Sequence, residues 1–387
     1  MKKKLPEKLI LDQIWQNRVN LLMEKNQIDL LICALSENIF CLTGFSSLTG
    51  NSLCGQYRDG EKFLLIPSNE TRFFNQPRIS QNLKIIEFDS DKTNILSTLE
   101  EFAKNTKFNS LRIGVDSNFN LISSLHVGGD VRIPNTSFWS KLEIILKTTL
   151  NDSSSLISQI RELKSESQVK GIKNTIEITE NGINQAIKNS NIITSEIDFA
   201  SSVEKMIEVN GVNGKFSQRV RSFAFCMSGV NSSFSGLPYN ISSNDKIIFS
   251  EPTLFELATC ADGYWCDLTR TYIFNNGNQE TLYLLELIKS IFDWLILECS
   301  DGAKVKDIVN KVNNYLKDFK LENSFNGFLG HGVGFTYHEM PIISSKSDHT
   351  LKEGMVVAIE PGVYIDGKFG IRWEENVYIG KQRGYIL

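Results

Sequence analysis

The chain has 387 residues, of which 41% are hydrophobic and 22% charged, with a formal net charge of −4. This length allows about two domains of ordinary size, and the charge balance excludes the basic footprint of a nucleic-acid binder. No run of about eighteen apolar residues offers a membrane span, and the stretch after Lys2-Lys3-Lys4 lacks the apolar core of a signal peptide.

The seven cysteines (Cys33, Cys41, Cys54, Cys226, Cys260, Cys266 and Cys299) are scattered and form no CxxC. Neither a disulfide framework nor a zinc knuckle is expected, and a reducing cytoplasm is the compartment that fits. The first elements read as a helix carrying Trp15, Val19 and Leu22 on one face, then a strand over 28–33. Apolar runs at Lys62–Pro67, Leu83–Phe88 and 111–115 follow, and 93–102 has Ile95, Leu99 and Phe102 at helical spacing. Strands alternating with helices predict an α/β layer domain. His126 stands alone and is read as a structural or surface residue. The composition shifts at Asn151-Asp152-Ser153-Ser154-Ser155, a boundary with helix-capping residues, which divides the chain into 1–152 and 153–387.

Beyond it, Leu156, Ile160, Leu163, Val169, Ile172 and Ile176 recur at helical spacing, and further helices are predicted over 196–210, 280–299 and 305–316. Between and after them the pattern is strand-rich. Asp262-Gly263 is a two-residue hairpin signal. It pairs Ala261 with Tyr264 and Ala258 with Asp267, so that Glu256 lies diagonal to Asp267, about 7–8 Å away on one face. Hairpin carboxylates ordinarily face solvent. A second hairpin runs from Val356 to Tyr364 and returns from Gly370 to Val377. A three-residue loop, Asp366-Gly367-Lys368, pairs Ile365 with Phe369 and sets Glu360 opposite Glu374; a two-residue loop puts these acids on opposite faces. Opposed like charges destabilise a sheet, so such a pair requires a cation, a shared proton or Arg372. Glu375 alternates with Trp373 and Val377 and is the weaker candidate.

Two of the four histidines lie in Gly330-His331-Gly332-Val333-Gly334-Phe335-Thr336-Tyr337-His338. Seven positions apart, they would face opposite ways on a straight strand, but the glycines permit a bend that aims both imidazoles at one pocket. Two carboxylate pairs with one or two imidazoles suit a hard to borderline divalent ion, Mn²⁺, Co²⁺, Fe²⁺ or Zn²⁺. Two such ions would generate hydroxide and clamp a tetrahedral intermediate, and a second histidine would carry protons or clamp substrate.

The order of Asp267-Leu268-Thr269-Arg270-Thr271, Gly330-His331-Gly332-Val333-Gly334, His338-Glu339-Met340-Pro341, Ile359-Glu360-Pro361-Gly362 and Gly370-Ile371-Arg372-Trp373-Glu374 resembles the pita-bread metallopeptidases of the aminopeptidase P, prolidase and creatinase type. The resemblance implies a creatinase-type amino-terminal α/β domain followed by a pita-bread (α+β) catalytic domain. It implies two metal ions, with Mn²⁺ the first choice, held by Glu256, Asp267, His331, Glu360 and Glu374, and Asp267 bridging. His338 would contact substrate and assist proton transfer, and Thr269 and Arg372 would hold the ligating carboxylates. The expected activity is metal-dependent hydrolysis of Xaa-Pro peptides by metal-activated hydroxide, in a cytoplasmic homodimer with no nucleic-acid or membrane partner. Two departures stand out: Glu256 occupies a position where the family usually has Asp, and no histidine follows Asn231 in Ser232-Ser233-Phe234-Ser235-Gly236-Leu237-Pro238-Tyr239. The second favours an alternative, a creatine- or ectoine-like small amide as substrate. A non-catalytic binding protein on the same fold is the third reading.

Overall fold

A computed structural model describes residues 5, 9–47, 50–73, 82–117, 136–189, 194–213, 217–236, 240–275 and 277–387. His126 lies outside the described residues. Two compact units are present, one spanning Ile10–Arg161 and the other including Glu162–Leu387.

In the first unit, α1 (Asp12–Lys25) precedes β1 (Leu30–Cys33) and α2 (Ser36–Thr43). Next come β2 (Leu53–Tyr57), β3 (Lys62–Pro67), β4 (Leu83–Phe88), α3 (Ile95–Ala103), β5 (Ile113–Val115), α4 (Thr136–Leu146), β6 (Leu150–Asp152) and α5 (Ser154–Glu162). The strands form one sheet in the order β4-β3-β2-β1-β5-β6, antiparallel at β1–β2 and β2–β3 and parallel elsewhere. The near-continuous apolar runs of β1 and β3 reflect burial on both faces, while β4 is largely exposed. Leu30, Ile32, Leu53, Phe63 and Leu65 join Leu99, Leu142 and Leu146 from the helices in one core. On α1 the buried residues are Trp15, Val19 and Met23, not Leu22, because Met23 continues the i, i+4 series. Asp152 Oδ1 accepts from the Ser154 hydroxyl at 2.6 Å and its N–H at 3.2 Å, so the expected capping residues do start α5.

In the second unit the periodic run predicted after residue 156 is not one helix. It breaks at 163–165 and resumes as α6 (Glu166–Asn189), because Leu163 bridges Met355 and the Lys164 N–H donates to the Gly354 carbonyl at 2.8 Å. Then follow α7 (Glu196–Asn213), β7 (Val220–Ser228), the single turn α8 (Val230–Ser233), β8 (Thr253–Ala261), β9 (Tyr264–Tyr272), α9 (Gln279–Glu298) and α10 (Val305–Lys317). The chain ends with β10 (Phe328–Gly332), β11 (Glu339–Ser344), β12 (Val356–Ile359), β13 (Gly362–Ile365), β14 (Phe369–Arg372), β15 (Glu375–Ile379) and β16 (Gly384–Ile386). Three sheets result among the described residues: β7-β8-β9, β11-β10-β12-β15-β16 and the pair β13-β14.

α6 packs on one face of β9. The Thr175 hydroxyl donates to the Tyr264 carbonyl at 3.2 Å, and Thr179 Oγ1 lies 3.3 Å from Cys266 Sγ. Since side chains alternate along a strand, Asp267 and Thr269 are thereby turned to the opposite face. Leu284, Ile288, Ile291 and Leu295 of α9 and Ile308, Val309 and Val312 of α10 bury against Leu329, Val357, Val377 and Ile379. A Leu or Ile to Ala change in such a core costs about 2–5 kcal/mol. This packing clamps the strands that carry the charged residues.

Candidate metal centre

The first acidic hairpin has the predicted register, with Ala261 opposite Tyr264, Ala258 opposite Asp267 and Glu256 opposite Thr269. Its turn residues Asp262 and Gly263 have φ of 51° and 100°, the left-handed pair that a type I′ turn demands. Asp262 Oδ1 accepts from the Gln218 and Arg219 N–H groups at 3.0 and 2.9 Å, which holds this non-glycine residue in its uncommon conformation.

The second hairpin takes the three-residue loop: Ile365 pairs with Phe369 and Gly362 with Arg372. Ile359 pairs with Glu375 in the neighbouring ladder, so one register runs through both. Glu360 and Glu374 face each other in the gap between these ladders. Threonines of β9 fix the returning strand there: Glu374 N–H donates to the Thr269 carbonyl at 3.1 Å, and the Thr271 hydroxyl donates to the Arg372 carbonyl at 2.8 Å.

His331 enters from β10, between Ala358 of β12 and Ile342 of β11. A Cβ at Gly330 (φ 140°) would sit 1.9 Å from the Ala358 carbonyl oxygen, so this close strand approach needs glycine. His331 Nδ1 lies 2.9 Å from the Gly332 carbonyl oxygen. That contact requires the proton on Nδ1 and leaves Nε2 with its lone pair. Nε2 points to Asp267 Oδ2 at 3.2 Å and Glu360 Oε1 at 3.6 Å. After β10 the chain bends, and His338 Nε2 comes within 3.6 Å of the same Asp267 oxygen. The two imidazole centroids are 3.8 Å apart, as the glycine-rich spacing predicted.

Among the described residues, the donor atoms of Asp267, His331 and His338 lie within 4.8 Å of one another, as do those of His331, Glu360 and Glu374. Asp267, His331 and Glu374 are each 1% exposed. Asp267 Oδ1, Glu374 Oε1 and His331 Nε2 are buried with no hydrogen-bond partner. Buried polar atoms are normally satisfied, and bare electron-pair donors of this kind, set in two donor groups that share His331, suit a divalent cation. Oxygens with one imidazole match a hard to borderline ion.

The electrostatics agree. Burial, then the repulsion of Glu374, raises the Asp267 carboxyl well above the usual range, and burial with Glu374 and Asp267 does the same to Glu360. Burial lowers His331, and burial with the neighbouring His331 holds His338 well below an ordinary histidine. Both imidazoles are therefore neutral near pH 7, the form that ligates metal or accepts a proton.

Glu256 is brought to the rim of this cluster but not into either donor group. Its Oε1 accepts from the Tyr337 hydroxyl at 2.7 Å, and its Oε2 meets Arg372 Nη2 and lies 3.4 Å from Thr269 Oγ1. Arg372 also donates from Nε to Thr269 Oγ1 at 2.9 Å and from Nη1 to the Tyr364 hydroxyl at 3.1 Å. Glu375 pairs with Arg270 at 3.0 Å and is in neither donor group. Sequence reasoning missed two residues. Tyr337 lies in the stretch between the two histidines, and that position was its one available signal. Asn376 of β15 accepts from the Asp267 N–H at 3.3 Å and donates to its carbonyl; nothing in the sequence pairs these two.

Residues 170–381 match metallopeptidase family M24, and residues 16–162 match the creatinase/prolidase N-terminal domain. The Xaa-Pro dipeptidase of Pyrococcus horikoshii is 25% identical over 362 residues, covering 93% of this chain and 92% of that protein. The crystal structure of the prolidase from P. horikoshii OT3 aligns with a TM-score of 0.74 at 23% identity, covering 96% of this chain and 97% of that one. The X-Pro aminopeptidase structure from Thermotoga maritima aligns at 0.76 with 19% identity, covering 95% and 97%. These likenesses establish the creatinase-type amino-terminal α/β domain and the pita-bread catalytic fold, and with more than half of its length matched, the chain belongs to metallopeptidase family M24.

Proposed function

We propose that this metallopeptidase is an Xaa-Pro peptidase that releases the residue preceding proline from short peptides. One observation carries the reading: Asp267, Glu374 and His331 each keep a bare, buried donor atom, and they fall in two donor groups joined at His331, with Glu360 in the second. The similarity to the Xaa-Pro dipeptidase of P. horikoshii, aligned over nine-tenths of both chains, supports the substrate class.

Asp267, His331, Glu360 and Glu374 would hold the metal, with manganese the ion proposed. When bound, a divalent ion polarises the scissile carbonyl and lowers the pKa of water toward neutrality. The protein's own part is positioning and proton traffic. Neutral His338 accepts a proton at Nε2 and returns it to the proline nitrogen, which leaves poorly without one. Thr269 and Arg372 keep the Glu374 and Glu256 carboxylates in their rotamers. The reading also takes residues 153–387 as the catalytic domain, 1–152 as the amino-terminal domain, and a cytoplasmic homodimer as the working form. Among the described residues no helix is long and apolar enough to cross a membrane.

The absence of histidine between Asn231 and Tyr239 favours a second reading, hydrolysis of a small non-peptide amide. Assaying the Mn²⁺-loaded protein on Leu-Pro, Leu-Gly, creatine and N-acetyl amino acids decides between them. The proposal expects Leu-Pro to be cleaved at least tenfold faster than the rest; cleavage confined to creatine or the N-acetyl compounds would favour the second.

A further inference from the structure

Glu256 differs from Asp267 and Glu374 in one respect: both of its oxygens are engaged by protein. Oε1 accepts from the Tyr337 hydroxyl at 2.7 Å and Oε2 meets the Arg372 guanidinium. Asp267 and Glu374 each keep a bare oxygen.

The contacts continue in both directions from Glu256. On one side, the Tyr337 ring lies on the His338 imidazole, with centroids 4.0 Å apart and planes 24° apart, while Trp265 backs it at 6.2 Å. The Thr336 hydroxyl donates to the His338 carbonyl at 2.8 Å and steadies the same loop. On the other side, Arg372 Nε donates to Thr269, whose hydroxyl donates to Glu374 Oε2 at 2.7 Å. A line of direct contacts therefore runs from His338 through Tyr337, Glu256, Arg372 and Thr269 to Glu374. It crosses between β10–β11, β8–β9 and the 373–374 gap, segments that are distant in sequence.

We propose that Tyr337 is a positioning residue of the metal centre, its hydroxyl bracing Glu256 so that the His338 and Glu374 sides keep a fixed separation. Bonds of this kind, one step removed from the ligands, orient ligand groups, and losing one typically weakens metal affinity 10–100-fold. If Tyr337 serves only as packing, its ring alone matters and the hydroxyl is dispensable.

The inference rests on the cluster being a metal centre, and its test needs no substrate. Mn²⁺ affinity is measured by competition with a chelating indicator for wild type, Tyr337→Phe, Glu256→Asp and the double variant. Tyr337→Phe keeps the ring and removes one oxygen. Glu256→Asp draws the carboxylate back from the phenol. Each single change is expected to weaken Mn²⁺ about tenfold, and the double variant to be weaker by clearly less than the product of the two, because both break the Tyr337–Glu256 link. Tyr337→Phe also removes the hydroxyl's bond to Asp267, and Glu256→Asp also draws back from Arg372. Tyr337→Phe binding Mn²⁺ like wild type overturns the proposal, as do effects that multiply in the double variant. Should Glu256→Asp fail to fold, Tyr337→Phe decides alone. A wild type that binds no Mn²⁺ removes the metal reading itself and the brace with it, an outcome distinct from a wild type and Tyr337→Phe that bind equally.

Discussion

The hydroxyl of Thr269 donates to Glu374 Oε2 at 2.7 Å, while Oε1 of the same carboxylate has no protein partner. One oxygen is tied so that the other is aimed. Thr269→Val keeps the shape of the side chain and removes the donor, so it should weaken Mn²⁺ binding about tenfold, and Thr269→Ser should restore most of it. Calorimetric titration of the three proteins checks this. Equal affinities in all three would mean that Glu374 is oriented by the backbone alone.

The raised carboxyls of Asp267 and Glu360 make a prediction about pH. Each binds its proton more tightly in the folded, metal-free protein than in the unfolded chain. Folded-state stability from this source is therefore complete below the ordinary carboxylate range and is lost as pH rises above it. Metal-free protein should melt at progressively lower temperature between about pH 5 and pH 8, where ordinary carboxyls are already ionised. Saturating Mn²⁺ should abolish or reverse the trend, because the ion displaces those protons. Melting curves with chelator and with Mn²⁺ provide the comparison; parallel pH trends in both would contradict it.

Arg270 tests the scaffold apart from the metal. It is 7% exposed and reaches Glu375 at 3.0 Å and Glu180 at 3.2 Å, donates to the Glu374 carbonyl at 2.6 Å and lies over the Trp373 ring. Arg270→Met strands Glu375 as a buried charge and should cost about 3–5 kcal/mol in urea unfolding. Arg270→Lys should recover only part, since an ammonium cannot span the same acceptors in one plane. A loss below about 1 kcal/mol would place this pair among weakly coupled surface ion pairs.

The acid positions were legible because strands and turns obey short-range rules. Asp262-Gly263 dictates a turn, the turn dictates a register, and the register sets which face Asp267 shares with Glu256. Glu360 and Glu374 needed one further choice, the length of the loop at 366–368, and sequence alone left both lengths open. His331 and His338 could be placed in one pocket because glycine relieves the alternation of a strand. What escaped were relations made by folding at long range. The hydrogen bonds from Tyr337 to Glu256 and between Asn376 and Asp267 link positions 81 and 109 residues apart. The break between α5 and α6 has a similar origin: helical periodicity continues through 163–165, but bonds to Met355 and Gly354 draw that segment out of the helix. On α1 the sequence reading chose Leu22, at i+3 from Val19, where the core takes Met23, at i+4.

The central claim is metal-dependent cleavage before proline at the Asp267–His331–Glu360–Glu374 cluster. The direct measurement is hydrolysis of Leu-Pro by wild type after exhaustive chelation, by the same protein reloaded with Mn²⁺, and by Asp267→Asn given the same treatment, with metal per chain determined on each sample. Activity is expected to disappear on chelation, to return with Mn²⁺, and to stay at least a thousandfold lower in Asp267→Asn, which should also bind less metal. Hydrolysis that survives chelation, or that Asp267→Asn retains, would contradict the claim.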